Sequence, residues 1–227
     1  MTLRRERGKV MILQDSQPVN QQHRAAMASF NMRLREADMF HSGTGQVHKT
    51  LAALVEDMEK AGIDYAIIGA MALNAHGYPR ETTDVDVLVR PEGLDAFKSR
   101  CVGLGYRPAF ANARKNFRNT ETNVRVEFVT TGEYPGDGKP KPVAFPDPAL
   151  VAVTIDKARV ISLPKLIELK LASGMTNRAR LRDLADVQDL IATLELSESL
   201  AESLDPYVRP TYLDLLHAIR TERKPEE

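Results

Sequence analysis

Apolar residues recur at helical spacing through Val47, Leu51, Leu54, Val55 and Met58, and Gly62 stands where such a helix would stop. Ile63 to Ile68 is a short, largely apolar run that reads as a buried strand, closed by Gly69-Ala70. Met71 to Ala75 follows as a short helix ended by Gly77 and Pro79. The stretch Asp84-Val85-Asp86-Val87-Leu88-Val89 alternates, which predicts a strand, and Pro91 ends it. Leu94, Phe97, Cys101 and Leu104 mark a second helix with Gly105 as its stop, and Tyr106 to Phe110 is a candidate strand. Asn123 to Val129 alternates again, with Val124, Val126 and Phe128 on one face and Arg125 and Glu127 on the other.

Residues 130–148 hold five prolines and three glycines, so they read as a loop. Val151 to Ile155 and Arg159 to Ile161 suggest a hairpin around Asp156-Lys157. Ser162 is placed to cap a helix through Leu171, with Gly174 as its end. A longer helix carries Leu181, Leu184, Val187, Leu190, Ile191 and Leu194 as its buried stripe, and Pro206 and Pro210 punctuate a last helical stretch. Ahead of all this, Met27, Phe30, Met32, Leu34 and Met39 make one loose helix at most. The expected fold class is α/β (α+β), a mixed sheet flanked by helices with a C-terminal helical segment. The expected division is an N-terminal extension, poorly ordered or helical, over 1–45, an α/β core over 46–161 and a helical segment over 162–227.

Composition narrows the classes. Of 227 residues, 43% are hydrophobic and 27% charged, which excludes a disordered, collagen-like or disulfide-scaffold chain. The single Cys101 excludes an internal disulfide and a multi-cysteine metal site, suits a reducing compartment, and sits on an apolar helical stripe. The apolar run after Arg4, Arg5, Arg7 and Lys9 spans only Val10 to Leu13, short for a signal peptide, and no window resembles a membrane span. A cytoplasmic location without membrane partners is the expectation. Lys+Arg and Asp+Glu both number 31, yet the charge is segregated. Lys157 to Arg182 carries seven basic residues against Glu168 alone, Lys98 to Arg125 carries seven against Glu121 alone, and residues 183–205 hold seven acids and no base. Two basic segments could converge on a triphosphate or an RNA backbone, or simply be solvated helix faces.

Asp84 and Asp86, two apart on a strand, share a face, and side-by-side carboxylates repel unless a positive charge lies between them. A divalent cation such as Mg²⁺ or Mn²⁺ is the usual solution. Glu127 supplies a third acid that could ligate or act as a base, or be an edge-strand residue paired with Arg125. Gly69-Ala70 opens a helix after a strand, where backbone N–H groups can meet phosphate. Asp183 and Asp186 share a helix side and could anchor Lys170 or Arg180. His76 reads as a capping or packing residue, and His23, His41, His48 and His217 form no ligand spacing.

Gly69-Ala70, thirteen residues, Asp84-Val85-Asp86-Val87 and a later strand acid together resemble the nucleotidyltransferase superfamily related to DNA polymerase β. The string Arg80-Glu81-Thr82-Thr83-Asp84-Val85-Asp86 is similar to the Arg-x-Thr-x-Asp-x-Asp form of the AbiEii-like and minimal nucleotidyltransferases. Ser162 to Lys170 and Arg180 to Val187 are similar to that group's helical segment, and the resemblance spans roughly residues 47 to 195. It implies a minimal nucleotidyltransferase core that moves a nucleoside monophosphate from an NTP to a hydroxyl with Mg²⁺ or Mn²⁺. Asp84, Asp86 and Glu127 would be catalytic and metal-binding. Gly69, Ala70, Arg80, Lys170 and Arg180 would bind nucleotide, with Thr82, Asp183 and Asp186 in support. The acceptor stays open among RNA, protein and a small molecule, and a role as toxin beside an antitoxin protein is one expectation. Ala70 stands where the family usually has Gly or Ser, and Glu127 where it often has Asp. A catalytically silent nucleotide-binding module is therefore the alternative.

Overall fold

The helix read from Val47 to Met58 forms as α1 (Gln46–Lys60), burying Val47, Leu54 and Met58. The structure, a computed structural model, describes Gly43 and residues 45–222, so the helix expected around Met27 to Met39, with His23 and His41, lies outside the described residues. Two apolar strands follow, β1 (Tyr65–Ile68), buried throughout, and β2 (Asp84–Val89), whose valines and leucine are buried. Between them lies the short α2 (Gly69–Ala75). Pro91 does more than end β2. It occupies the first turn of α3 (Pro91–Cys101), where its missing N–H costs nothing.

Strands β3 (Tyr106–Pro108), β4 (Asn116–Asn119) and β5 (Arg125–Thr130) form an antiparallel run. The one-turn α4 (Pro148–Val151) leads into the hairpin β6 (Ala152–Ile155) and β7 (Ala158–Ile161). Asp156 and Lys157 turn it with φ of 47° and 70°, the left-handed pair that a tight two-residue hairpin needs. Helices α5 (Leu163–Thr176), α6 (Leu181–Thr193) and α7 (Arg209–Glu222) complete the chain, with short 3₁₀ segments at Arg178–Arg180 and Glu198–Ser203.

The strands make one mixed seven-stranded sheet in the order β3-β4-β5-β2-β1-β7-β6. Its centre is β5-β2-β1, with β2 parallel to β5 and antiparallel to β1. One end of the core is aromatic, with the Phe97 ring 4.5 Å from Phe128, 5.0 Å from Tyr106 and 5.4 Å from Phe117. Among the described residues no helix is long and apolar enough to cross a membrane.

Several expectations need correcting. β4 was not expected, because Asn116-Phe117-Arg118-Asn119 offers one apolar residue and no alternation to read. Leu104 lies beyond α3 and is 82% exposed, so the stripe stops at Cys101. Leu181 is likewise exposed, leaving Val187, Leu190 and Ile191 as the buried face of α6. Ser162 stands at the N-cap of α5 but makes no side-chain capping bond. Gly174 does not end that helix. It sits inside it, where a β-carbon would fall 2.5 Å from Leu184 Cγ, so the glycine lets α5 and α6 pack closely.

Candidate active site

The parallel register of β2 and β5 sets Asp84 opposite Arg125 and Asp86 opposite Glu127. Residues two apart on a strand share a face, so all four charged side chains rise from one side of the sheet. Val85, Val87, Val126 and Phe128 pack into the core on the other. Arg125 Nη2 donates to Asp84 Oδ2 at 2.6 Å and lies 3.3 Å from Glu127 Oε2. Thr82 Oγ1 donates to Asp84 Oδ1 at 2.6 Å. A guanidinium thus lies between Asp84 and Glu127, though not between Asp84 and Asp86, and the Asp84 carboxylate beside it holds the Arg125 pKa above its usual value.

Asp86 has a different fate. Burial first, then the neighbouring Asp84 and Glu127 carboxylates, pushes its carboxyl up to about 7. Gly69 explains how backbone comes so close to it. Its φ is +65°, and a β-carbon there would fall 2.1 Å from Asp86 Oδ2, so an L side chain is excluded on both counts.

These residues line a cleft of about 910 Å³. Gly69, Ala70, Arg80 and Thr82 line it, with Glu133 and Tyr134 of the 133–138 loop, Lys170 and Ser173 of α5, Arg180 of the 3₁₀ segment, and Arg182, Asp183 and Asp186 of α6. The loop is pinned by Asn177 Nδ2 donating to the Gly136 carbonyl at 3.1 Å and by Lys141 Nζ donating to the Pro135 carbonyl at 2.5 Å. Asn74 grips the Arg80 backbone, donating to its carbonyl at 2.7 Å and accepting from its N–H at 3.1 Å.

Lys170 was open between a phosphate contact and an ion pair with Asp183 or Asp186. It is buried and donates to Asp183 at 3.0 Å and Asp186 at 2.7 Å. Asp186 also accepts from Arg80 Nε at 3.0 Å, and Ser173 Oγ donates to Asp183 at 2.6 Å. The two aspartates therefore anchor Lys170 and Arg80 rather than Arg180, because the helical stagger of α6 turns both toward α5. Arg180 and Arg182 line the cleft with no ion pair among the described residues. His76 Nε2 donates to the Ile161 carbonyl at 2.7 Å, and Cys101 is buried in the core.

Sequence reasoning missed three cleft residues. Ser173 lies one helical turn beyond Lys170, and that spacing could have found it. Glu133 and Tyr134 sit in a loop without periodicity, and nothing in the pattern marks them.

Seven acidic and five basic side chains line the cleft, and three of the basic ones, Arg80, Arg125 and Lys170, are engaged by its own acids. Among the described residues no three acidic, histidine or cysteine side chains are gathered tightly enough to hold an ion as they stand. The surplus of negative charge, concentrated where Asp86 is forced toward its protonated form, nonetheless fits a hard divalent cation.

The raised pKa of Asp86 makes stability depend on pH. The folded state keeps a proton that the unfolded chain releases near 3.8, so stability falls as pH rises from about 4 to about 7, and the penalty is complete above that. Asp86→Asn removes it. In chelator-treated protein the variant should resist urea better than the parent by on the order of 2 kcal/mol at pH 8, and the advantage should vanish near pH 4. An advantage equal at all pH values would contradict the buried, charge-crowded carboxyl.

No protein-family model matches the chain, and neither does any curated protein. Solved structures do show similarity. An antigenic nucleotidyltransferase-like protein from Paracoccidioides brasiliensis is 15% identical with a TM-score of 0.46, over 77% of this chain and 88% of that one. JHP933 from Helicobacter pylori is 18% identical with a TM-score of 0.41, over 68% and 70%. ANT(2")-Ia, crystallised with adenylyl-2"-tobramycin, is 13% identical with a TM-score of 0.44, over 73% and 98%. These three similarities lie below 20% identity and a TM-score of 0.5, so what the site does has to be read from its own residues.

Proposed function

We propose that the cleft binds a nucleoside triphosphate and transfers its nucleoside monophosphate to an acceptor hydroxyl, as the resemblance to AbiEii-like nucleotidyltransferases implies. The observation that carries this reading is the register of β2 with β5, which groups Asp84, Asp86 and Glu127 on one face beside the Gly69-Ala70 turn. Asp84, Asp86 and Glu127 would hold Mg²⁺ or Mn²⁺. When bound, such an ion neutralises triphosphate charge and orients the α-phosphorus.

The chain's own residues supply the rest. Gly69 brings backbone to the acids without a side chain in the way, and Ala70 follows it on the cleft wall. Arg180 and Arg182, exposed and without an ion pair among the described residues, are the guanidiniums available to a phosphate. Arg80 and Lys170 hold the wall through Asp186, supported by Asp183. Glu127 accepts the proton of the attacking hydroxyl. The acceptor oxygen bonds to the α-phosphorus, the bond to the β-phosphate oxygen breaks, and pyrophosphate leaves.

The test is transfer of label from α-phosphorus-labelled NTPs, all four bases, to total RNA, to cell protein and to a panel of small hydroxylated molecules including aminoglycosides. Self-labelling is scored alongside. Labelling lost in Asp84→Asn supports the transferase and names the acceptor class. Metal-dependent NTP binding without any transfer favours the silent module and points first to Ala70. Absence of NTP binding removes both readings, and the toxin role with them.

A further inference from the structure

Arg125 rises from the sheet face that carries the acids and contacts two of them, a role the proposed reaction does not require. Its guanidinium contacts Asp84 at 2.6 Å and Glu127 at 3.3 Å, thereby spanning two of the three carboxylates assigned to a metal. A cation held by those carboxylates would compete with the guanidinium that now engages Asp84 Oδ2 and Glu127 Oε2. Resting on the proposed metal site, we propose that Arg125 is a built-in counter-ion that closes the acid cluster when no divalent cation is bound and is displaced when one enters.

Three features make the exchange workable. The Arg125 side chain is 42% exposed, so its head can swing into solvent without opening the core. Asp84 keeps a second partner, Thr82 at 2.6 Å, so its carboxylate stays aimed when the arginine leaves. The backbone of Arg125 pairs with Asp84 on one side and Arg118 on the other, so β5 stays fixed while the side chain moves. Asp86, which the guanidinium does not hydrogen-bond, stays crowded by carboxylates and continues to attract a cation. Arg125 therefore lowers the affinity for the ion, as any competing cation must, and spares the empty site part of its internal repulsion. Divalent ion and arginine would compete for the same carboxylates.

The experiment is calorimetric titration of the full chain with Mn²⁺ alone, in parent, Arg125→Gln and Arg125→Lys. Arg125→Gln should bind Mn²⁺ more tightly by about tenfold or more, the order expected for removing one like charge at contact distance near the surface. It should also melt earlier than the parent in chelator. Arg125→Lys keeps the charge but as a strongly hydrated ammonium on a flexible stem rather than a planar guanidinium, so it should fall between the two. Parent and Arg125→Gln binding Mn²⁺ equally, or the variant more weakly, overturns the counter-ion role while leaving the metal site in place. If no form binds Mn²⁺ at all, the metal site itself is lost, and this inference falls with it.

Discussion

Replacing Lys170 by alanine should cost about 3 kcal/mol of folding stability, a penalty typical of leaving a buried acid without its cation. Lys170 is 8% and Asp186 5% exposed, so water cannot compensate the aspartate when the ammonium goes. The low end of the usual range applies because Asp186 keeps Arg80 and Asp183 keeps Ser173. Equilibrium urea denaturation reads the loss directly. The double variant Lys170→Met/Asp186→Asn should be more stable than the two single changes sum to, since it removes the stranded charge together with its partner. A Lys170→Ala protein as stable as the parent would mean the pair contributes nothing. The same network joins the segment before β2 to α5 and α6, so the variant should also loosen the wall that carries Arg80. NTP affinity measured at low temperature, where the variant is folded, separates this scaffolding role from direct phosphate contact. Unchanged affinity assigns Lys170 to the scaffold.

The elements that were legible in the sequence are those whose side chains obey one period. β2 and β5 alternate because one face is core and the other lines the cleft, and α1 shows its stripe because it packs on one side only. β4 was illegible because its strand state comes from neighbours: Phe117 is held by the aromatic cluster, while Asn116, Arg118 and Asn119 are polar. Gly174 misled for a comparable reason. A glycine near the end of an apolar stripe reads as a stop, yet here it answers to Leu184, which a linear pattern cannot show. At the site, Asp84 and Asp86 announced themselves by spacing and Glu127 by the alternation of its own strand, but the pairing between the two strands was not legible. Which residue faces which is decided by the parallel register, and a shift of one position would have turned Glu127 into the core. The fate of Lys170 was open between phosphate and Asp183 or Asp186 because a helix face specifies direction and not the charge that will be waiting there.

Glu127→Gln should leave NTP affinity within a few-fold of the parent while turnover falls by about 10²–10⁴, the contribution of a positioned general base. The substitution keeps the shape and removes the proton acceptor. β5 should tolerate it, because Val126 and Phe128 provide the burial while the Glu127 side chain is 37% exposed. Arg125 loses its longer contact at 3.3 Å but retains Asp84 at 2.6 Å, so the acid face is not left unbalanced. Two further readings separate a base from a metal ligand. If Glu127 accepts the proton, Mn²⁺ affinity should be unchanged in the variant, and raising Mn²⁺ should not restore the rate. If it serves chiefly to ligate, Mn²⁺ affinity should fall along with turnover, and excess Mn²⁺ should recover much of the loss. A variant that turns over like the parent would remove Glu127 from the chemistry altogether and leave Asp84 and Asp86 as the only acids of β2 and β5 with a claim to it.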